Sequence, residues 1–168
     1  MIKAEQEKYL ATRPDKVVLV KPFDPKVQEV GKNLTKELVR LLPNLRIHFG
    51  GAAALGLAGQ NDIDINILSV PEEYNIHRPI LEKMFGVPSR ISKSIKWEFK
   101  RDGFDVELYL TDKNSPVLQE QLKVFEILLQ NKNLRDEYEK IKLPCGEQDY
   151  KIYMRKKYEF FNRILGLK

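Results

Sequence analysis

The sequence predicts a single α+β domain over residues 1–168, a mixed β-sheet flanked by helices with a helical C-terminal part over 115–168. Three observations predict it. Short β-branched runs alternate with apolar stripes of helical spacing through the first half. Two neighbouring strand patterns, 95–100 and 104–111, flank Asp102-Gly103, a hairpin signal that breaks the strict strand–helix alternation of a parallel sheet. After Thr111 only helical periodicity remains.

Each element has a local cause. Residues 1–15 are polar and predict a short helix or a loose arm. Residues 17–21 (VVLVK) read as a strand stopped by Pro22 and Pro25. Asp24-Pro25 opens a helix, with the carboxylate as cap and proline at the first position. Val27, Val30, Leu34, Leu38 and Leu41 form its stripe, and Pro43 ends it. A strand at 46–49 leads into Gly50-Gly51 and the small-residue stretch 52–59. Residues 62–68 (DIDINIL) read as the next strand and 71–85 as a helix. Beyond the hairpin, Leu118, Leu122, Phe125 and Leu129 mark one helix, and Leu134, Tyr138 and Ile141 a second. Met154, Tyr158, Phe161 and Leu165 mark a last helix starting near Gln148.

Composition sets the class. The chain is 42% hydrophobic and 32% charged, a globular balance. Its one cysteine, Cys145, excludes an internal disulfide and any cysteine-built metal site, and reads as a loop residue. No apolar run approaches the ~18 residues of a membrane span. The opening MIKAEQEKYL is charged where a signal peptide needs an apolar core, so no membrane association and a cytoplasmic setting are expected. The net charge of +5 comes from 29 basic and 24 acidic residues. The last 18 residues alone carry six basic residues against Glu159, leaving the rest neutral. Such a distribution suits a local anion site; an extensive nucleic-acid surface needs a broad basic stripe.

The chemistry concentrates in one block. Strand alternation places Asp62, Asp64 and Asn66 on one face and Ile63, Ile65 and Ile67 on the other. The two carboxylates stand about 7 Å apart along the strand. At a separation of about 5 Å they would repel by roughly 3 kcal/mol at an effective dielectric near 20, so a cation or open water must accompany them. In the hairpin, Asp105 and Glu107 share a face with Tyr109. Paired beside 62–68, that strand brings three or four carboxylates together, a hard-oxygen set suited to magnesium or manganese. Gly50-Gly51 lets backbone N–H groups approach an anion at the start of a short helix.

This arrangement resembles the nucleotidyltransferase superfamily of DNA polymerase beta type: a glycine turn opening a short helix, Asp-x-Asp on the next strand, and a third acid later. Within it, nearly the whole chain resembles the GrpB-like family. The similarity lies in KPFDPKV at 21–27, in HFGGAAALGLAGQNDID at 48–64, and in Leu134–Tyr138 leading to Tyr153, Lys157 and Phe160. Three departures stand out. Gly51 and Ala52 replace the family's usual serine and frequent threonine. Asp62 supplies an acid often missing there. Asp105 and Glu107 stand where the family tends to place histidines.

The resemblance implies a nucleotidyltransferase-like fold and an ATP- or GTP-like ligand. The leading expectation is a metal-dependent nucleotidyltransferase that moves a nucleoside monophosphate from an NTP to a hydroxyl acceptor and releases pyrophosphate. Asp62 and Asp64 would hold Mg2+ or Mn2+, with Asp105 or Glu107 completing the metal site and helping to deprotonate the acceptor. Gly50 and Gly51 would bind phosphates. Lys157 either neutralises the triphosphate or snorkels over core. The chain's size favours a small-molecule acceptor or a partner protein. The alternatives are a non-catalytic nucleotide-binding or regulatory module, and an antitoxin-like minimal nucleotidyltransferase acting on a partner protein. Elsewhere His48 reads as packed, His77 as surface, Trp97 and Phe99 as core, and Arg155, Glu159 and Arg163 as a mutually paired outer face.

Overall fold

A computed structural model describes residues 1–167. In chain order the elements are α1 (Ala4–Ala11), β1 (Val17–Val20), α2 (Pro25–Leu41), β2 (Arg46–Gly50), α3 (Gly51–Leu55) and β3 (Ile63–Ser69). A 3-10 turn (Pro71–Glu73) then leads into α4 (Tyr74–Phe85), β4 (Arg90–Ile91), β5 (Ile95–Arg101) and β6 (Phe104–Asp112). The chain closes with α5 (Pro116–Gln130), α6 (Lys132–Lys142), β7 (Gly146–Asp149) and α7 (Tyr150–Ile164). The fold is the expected α+β arrangement, a five-stranded mixed sheet in the order β2-β3-β6-β5-β4 flanked by helices.

β3 and β6 run parallel at the centre, and the remaining neighbours are antiparallel. One sheet face is apolar through its centre, with Arg101 at its edge reaching Glu37 of α2. Ile63, Ile65 and Ile67 of β3 join Val106, Leu108 and Leu110 of β6 and Trp97 of β5 in one core. α2 closes it with Val27, Val30, Leu34 and Leu38, the stripe its spacing predicts, and α4 adds Leu81. Asp24 caps α2 by accepting the N–H of Lys26 at 2.9 Å, with Pro25 at the first helical position. Gly31 lets α2 lie close to β2, since a Cβ there would stand 2.3 Å from the Phe49 ring.

The other sheet face is polar and is flanked by the C-terminal helices. There His48 of β2 meets the ring of Phe125 of α5 edge-on at 4.8 Å, as expected of a packed histidine. A second core joins Leu57 to Val124 and Leu128 of α5, Tyr138 of α6 and Phe160 of α7. Helix starts here follow the same capping rule: Ser115, Asn131 and Asp149 accept the N–H groups of Leu118, Leu134 and Ile152.

Four features differ from the sequence expectation. β1 stays outside the main sheet and pairs with β7, whose residues GEQD carry no strand signal; the pairing of Val17 to Val20 with Asp149 to Gly146 makes that strand. β7 also delays α7 to Tyr150. Arg155 and Arg163 pair with Glu7 of α1 and Glu137 of α6, not with Glu159, because neighbouring helices lie within their reach. His77 is not a surface residue: its side chain is 14% exposed and packed beside Glu73.

Leu34, fully buried in the centre of the α2–sheet core, tests this packing. Leu34→Ala should cost about 2–5 kcal/mol, read as a lower denaturant midpoint with unchanged slope.

Candidate functional site

Two strand registers build the site. Antiparallel pairing of β2 with β3 sets Gly50 opposite Asp64. Parallel pairing of β3 with β6 sets Glu107 opposite Asp64 on the other side. The expected carboxylates thus share the polar face, with Asp64 between the glycine corner and Glu107.

Gly51 starts α3 with φ +75, a left-handed conformation that favours glycine. It faces a second constraint. A Cβ on Gly51 would stand 2.6 Å from Oδ2 of Asp64, so the carboxylate occupies the space a side chain would need. At Gly50 a Cβ would stand 2.8 Å from Nε2 of His48. The corner is therefore bare backbone with an acid laid against it.

The lead-in to the aspartates is tied down from several directions. Ala58 donates its N–H to Glu139 at 2.8 Å and accepts from Lys142 Nζ at 2.7 Å, both from α6. Gly59 and Lys21 exchange backbone hydrogen bonds at 2.7 and 3.1 Å. Asn61, at φ 53, donates to the Pro22 carbonyl at 2.9 Å. These contacts fix where Asp62 and Asp64 emerge.

Burial pushes the Asp64 carboxyl up to about 8, and the charges of Asp62 and Glu107 add to the rise, while Lys157 and Lys96 oppose it. Asp62 is likewise raised, first by burial and then by Glu107 and Asp105, with Lys157 pulling it down. Lys157 therefore faces both aspartates electrostatically. Its ammonium also lies 5.6 Å from the centre of the Phe161 ring, so the charged and the stem-packing readings coexist.

The two later acids differ. Glu107 accepts from Lys96 at 2.7 Å and from the Tyr109 hydroxyl at 2.8 Å. Lys96 also donates to Glu98 at 2.8 Å and so sits between two carboxylates that face each other across β5 and β6. Burial lowers the Lys96 ammonium, but its hydrogen bonds to Glu107 and Glu98 outweigh this and hold it above its usual range. Asp105 lies at the rim, 73% exposed and paired with Lys100 at 2.7 Å. Asp62, Asp105 and Glu107 nevertheless line one cleft of about 630 Å3. Val17 and Leu19 of β1 and Phe99 of β5 give it an apolar wall, with Lys21 and Lys100 at its edge.

Several surrounding groups escaped the sequence reading. Burial raises the hydroxyls of Tyr138 and Tyr153, and both feel the charges of Asp62 and Asp64. Lys142 is 2% exposed and stacks over the Tyr138 ring at 4.1 Å. Burial, then the charge of Lys157, pulls its amine down to about 7. Lys96 could have been found from the hairpin alone, since the Asp102-Gly103 turn sets it opposite Tyr109 and diagonal to Glu107. Lys142 had no local signal, because its burial depends on α6 docking over Ala58.

Among the described residues, no three His, Cys, Asp or Glu side chains gather closely enough to hold a metal ion unaided. Magnesium at phosphate sites takes only one or two carboxylates, with phosphate and water oxygens completing its shell. Asp62 and Asp64 match that smaller requirement in donor type.

Two measurements probe the corner. Asp64 is raised on folding, so its contribution to stability is retained below the unfolded value of 3.8 and is lost as pH rises through about 8. Asp64→Asn should therefore flatten the fall in melting temperature between acidic and alkaline pH; an unchanged profile would show the carboxyl to be unperturbed. Gly51→Ala should destabilise by about 1–3 kcal/mol. Part of that loss should return in Gly51→Ala/Asp64→Ala, because the steric conflict is shared, giving a non-additive double-mutant cycle.

No curated protein gives a significant match to the chain. Among solved structures, the conserved protein GrpB from Enterococcus faecalis superposes with a TM-score of 0.59 at 13% identity, covering 88% of this chain and 99% of that one. Cid1, with RNA terminal uridylyl transferase activity, superposes at 0.49 and 16% identity, covering 77% of this chain and 41% of its own. At the sequence level, the GrpB protein family model matches residues 17–166. That span takes in the glycine corner, both aspartates, Glu107 and Lys157 together, and the chain accordingly belongs to the GrpB family.

Proposed function

We propose that the chain is a metal-dependent nucleotidyltransferase working at the Gly50–Gly51 corner. The observation that carries this reading is the Asp64 carboxylate lying where a Gly51 side chain would be, with Asp62 just ahead of β3 and lining the adjoining cleft. Backbone N–H groups of the corner would receive the β- and γ-phosphates of an NTP. Asp62 and Asp64 would hold Mg2+ or Mn2+ against the same phosphates, where the ion would neutralise charge developing in transfer. Lys157, which already lowers both aspartates, would add a positive charge beside the triphosphate.

The cleft floored by Asp62 and Glu107 would admit the acceptor. Its hydroxyl oxygen would bond to the α-phosphorus as the bond to the bridging oxygen breaks. Pyrophosphate would leave, and the hydroxyl proton would pass to one of the cleft carboxylates. The acceptor would be a small molecule or a protein side chain.

One observation favours a second reading, a non-catalytic nucleotide-binding module. Glu107, the third acid opposite Asp64, is already held by Lys96 and Tyr109. A lysine placed there takes part of the role a second cation would have.

Thermal melting with ATP, GTP, CTP and UTP, with and without magnesium, tests both. A ligand at about 100 times its Kd stabilises by about 2.7 kcal/mol, a shift of several degrees for a chain of this size. The shift should require metal and vanish in Asp64→Ala. No shift with any nucleotide overturns both readings. A metal-dependent shift without pyrophosphate release, across acceptor mixtures, selects the binding module.

A further inference from the structure

α4 is apolar on two faces. Tyr74, Leu81 and Phe85 turn inward and pack on the sheet core. Ile76, Ile80 and Met84 recur at steps of four, so they line up along one side of the helix. They are 59%, 36% and 47% exposed. Val87, 88% exposed, follows just beyond the helix. Single exposed apolar residues are ordinary; a row of them along one helix is a patch that marks an interaction surface.

The charges beside this row choose its partner. Glu72 and Glu73 are exposed at its N-terminal end, and Lys83 is exposed at its C-terminal end. A second copy turned by half a revolution, about an axis between Ile76 and Ile80, would set Ile76 of each copy against Ile80 of the other. The same rotation would bring the acidic end of each helix to the basic end of its mate, at both ends at once. A parallel arrangement would oppose like charges. Ile76, Ile80 and their flanking charges are thus self-complementary under two-fold rotation, the property an isologous dimer interface needs.

We propose that the chain forms an antiparallel homodimer through the outer face of α4, with Ile76 and Ile80 at its centre, Glu73–Lys83 pairs flanking them and Met84 at the periphery. α4 packs on the apolar sheet face, opposite the carboxylates, so the dimer leaves the glycine corner and its cleft open on both copies. This assembly is independent of the nucleotide reading.

Light scattering on the eluting full-length chain, over rising concentration, tests it. The wild type should move toward twice the chain mass as concentration rises. Ile80→Asp and Lys83→Glu should each weaken association at least about tenfold. Adding Glu73→Lys to Lys83→Glu should restore it, because the pairs are rebuilt with reversed sign. Lys83 is exposed, so the melting curve of Lys83→Glu should stay close to wild type and separate loss of association from loss of fold. A wild-type chain that remains monomeric at about 0.5 mM, or a dimer indifferent to Ile80→Asp, overturns the proposal.

Discussion

The contact between the Asp64 carboxylate and the backbone of Gly51 is the constraint on which the site depends. It exists because β2 and β3 pair with Gly50 opposite Asp64, and because the chain turns at Gly51 in a conformation that favours glycine. The three isoleucines of β3 hold this register. A slip of one residue would bury Asp62 and Asp64 in the apolar core and expose Ile63 and Ile65. The same hydrophobic face that stabilises the sheet therefore aims the acids at the corner.

Charge around the corner is unevenly shared. Lys96 directs its ion pairs to Glu98 and Glu107, on the β5–β6 side of the sheet. Lys157 and Lys142 approach from the C-terminal helices and act on Asp62 through space. Asp62 and Asp64 are thus the acids left crowded, and burial with repulsion from neighbouring carboxylates raises both. A site in this condition favours any positive partner that can enter it, whether a proton, a lysine or a bound cation.

Much of this was legible in the sequence because its causes are local. The α2 stripe, the Asp24-Pro25 start and the Asp102-Gly103 hairpin are patterns of spacing and turn chemistry, and each became the expected element. The face shared by Asp62, Asp64, Asp105 and Glu107 followed from alternation and strand order. What stayed hidden depends on residues distant in the chain. β7 is a strand only because β1 offers it hydrogen bonds. The partners of Arg155 and Arg163 lie on other helices. The different surroundings of Asp105 and Glu107 depend on which lysine of β5 reaches each, a matter of rotamer and register that alternation alone does not decide.

The clasp on Ala58 has a consequence for how the molecule is divided. Glu139 and Lys142 satisfy the donor and acceptor of a peptide unit only a few residues ahead of the aspartates. The five-stranded sheet would still be complete in a chain shortened before α6, yet the approach to the corner would lose its anchor. The C-terminal helices are therefore part of the scaffold of the corner. By thermodynamic reciprocity, any coupling that this clasp carries between the approach to the corner and the seating of α6 acts equally in both directions.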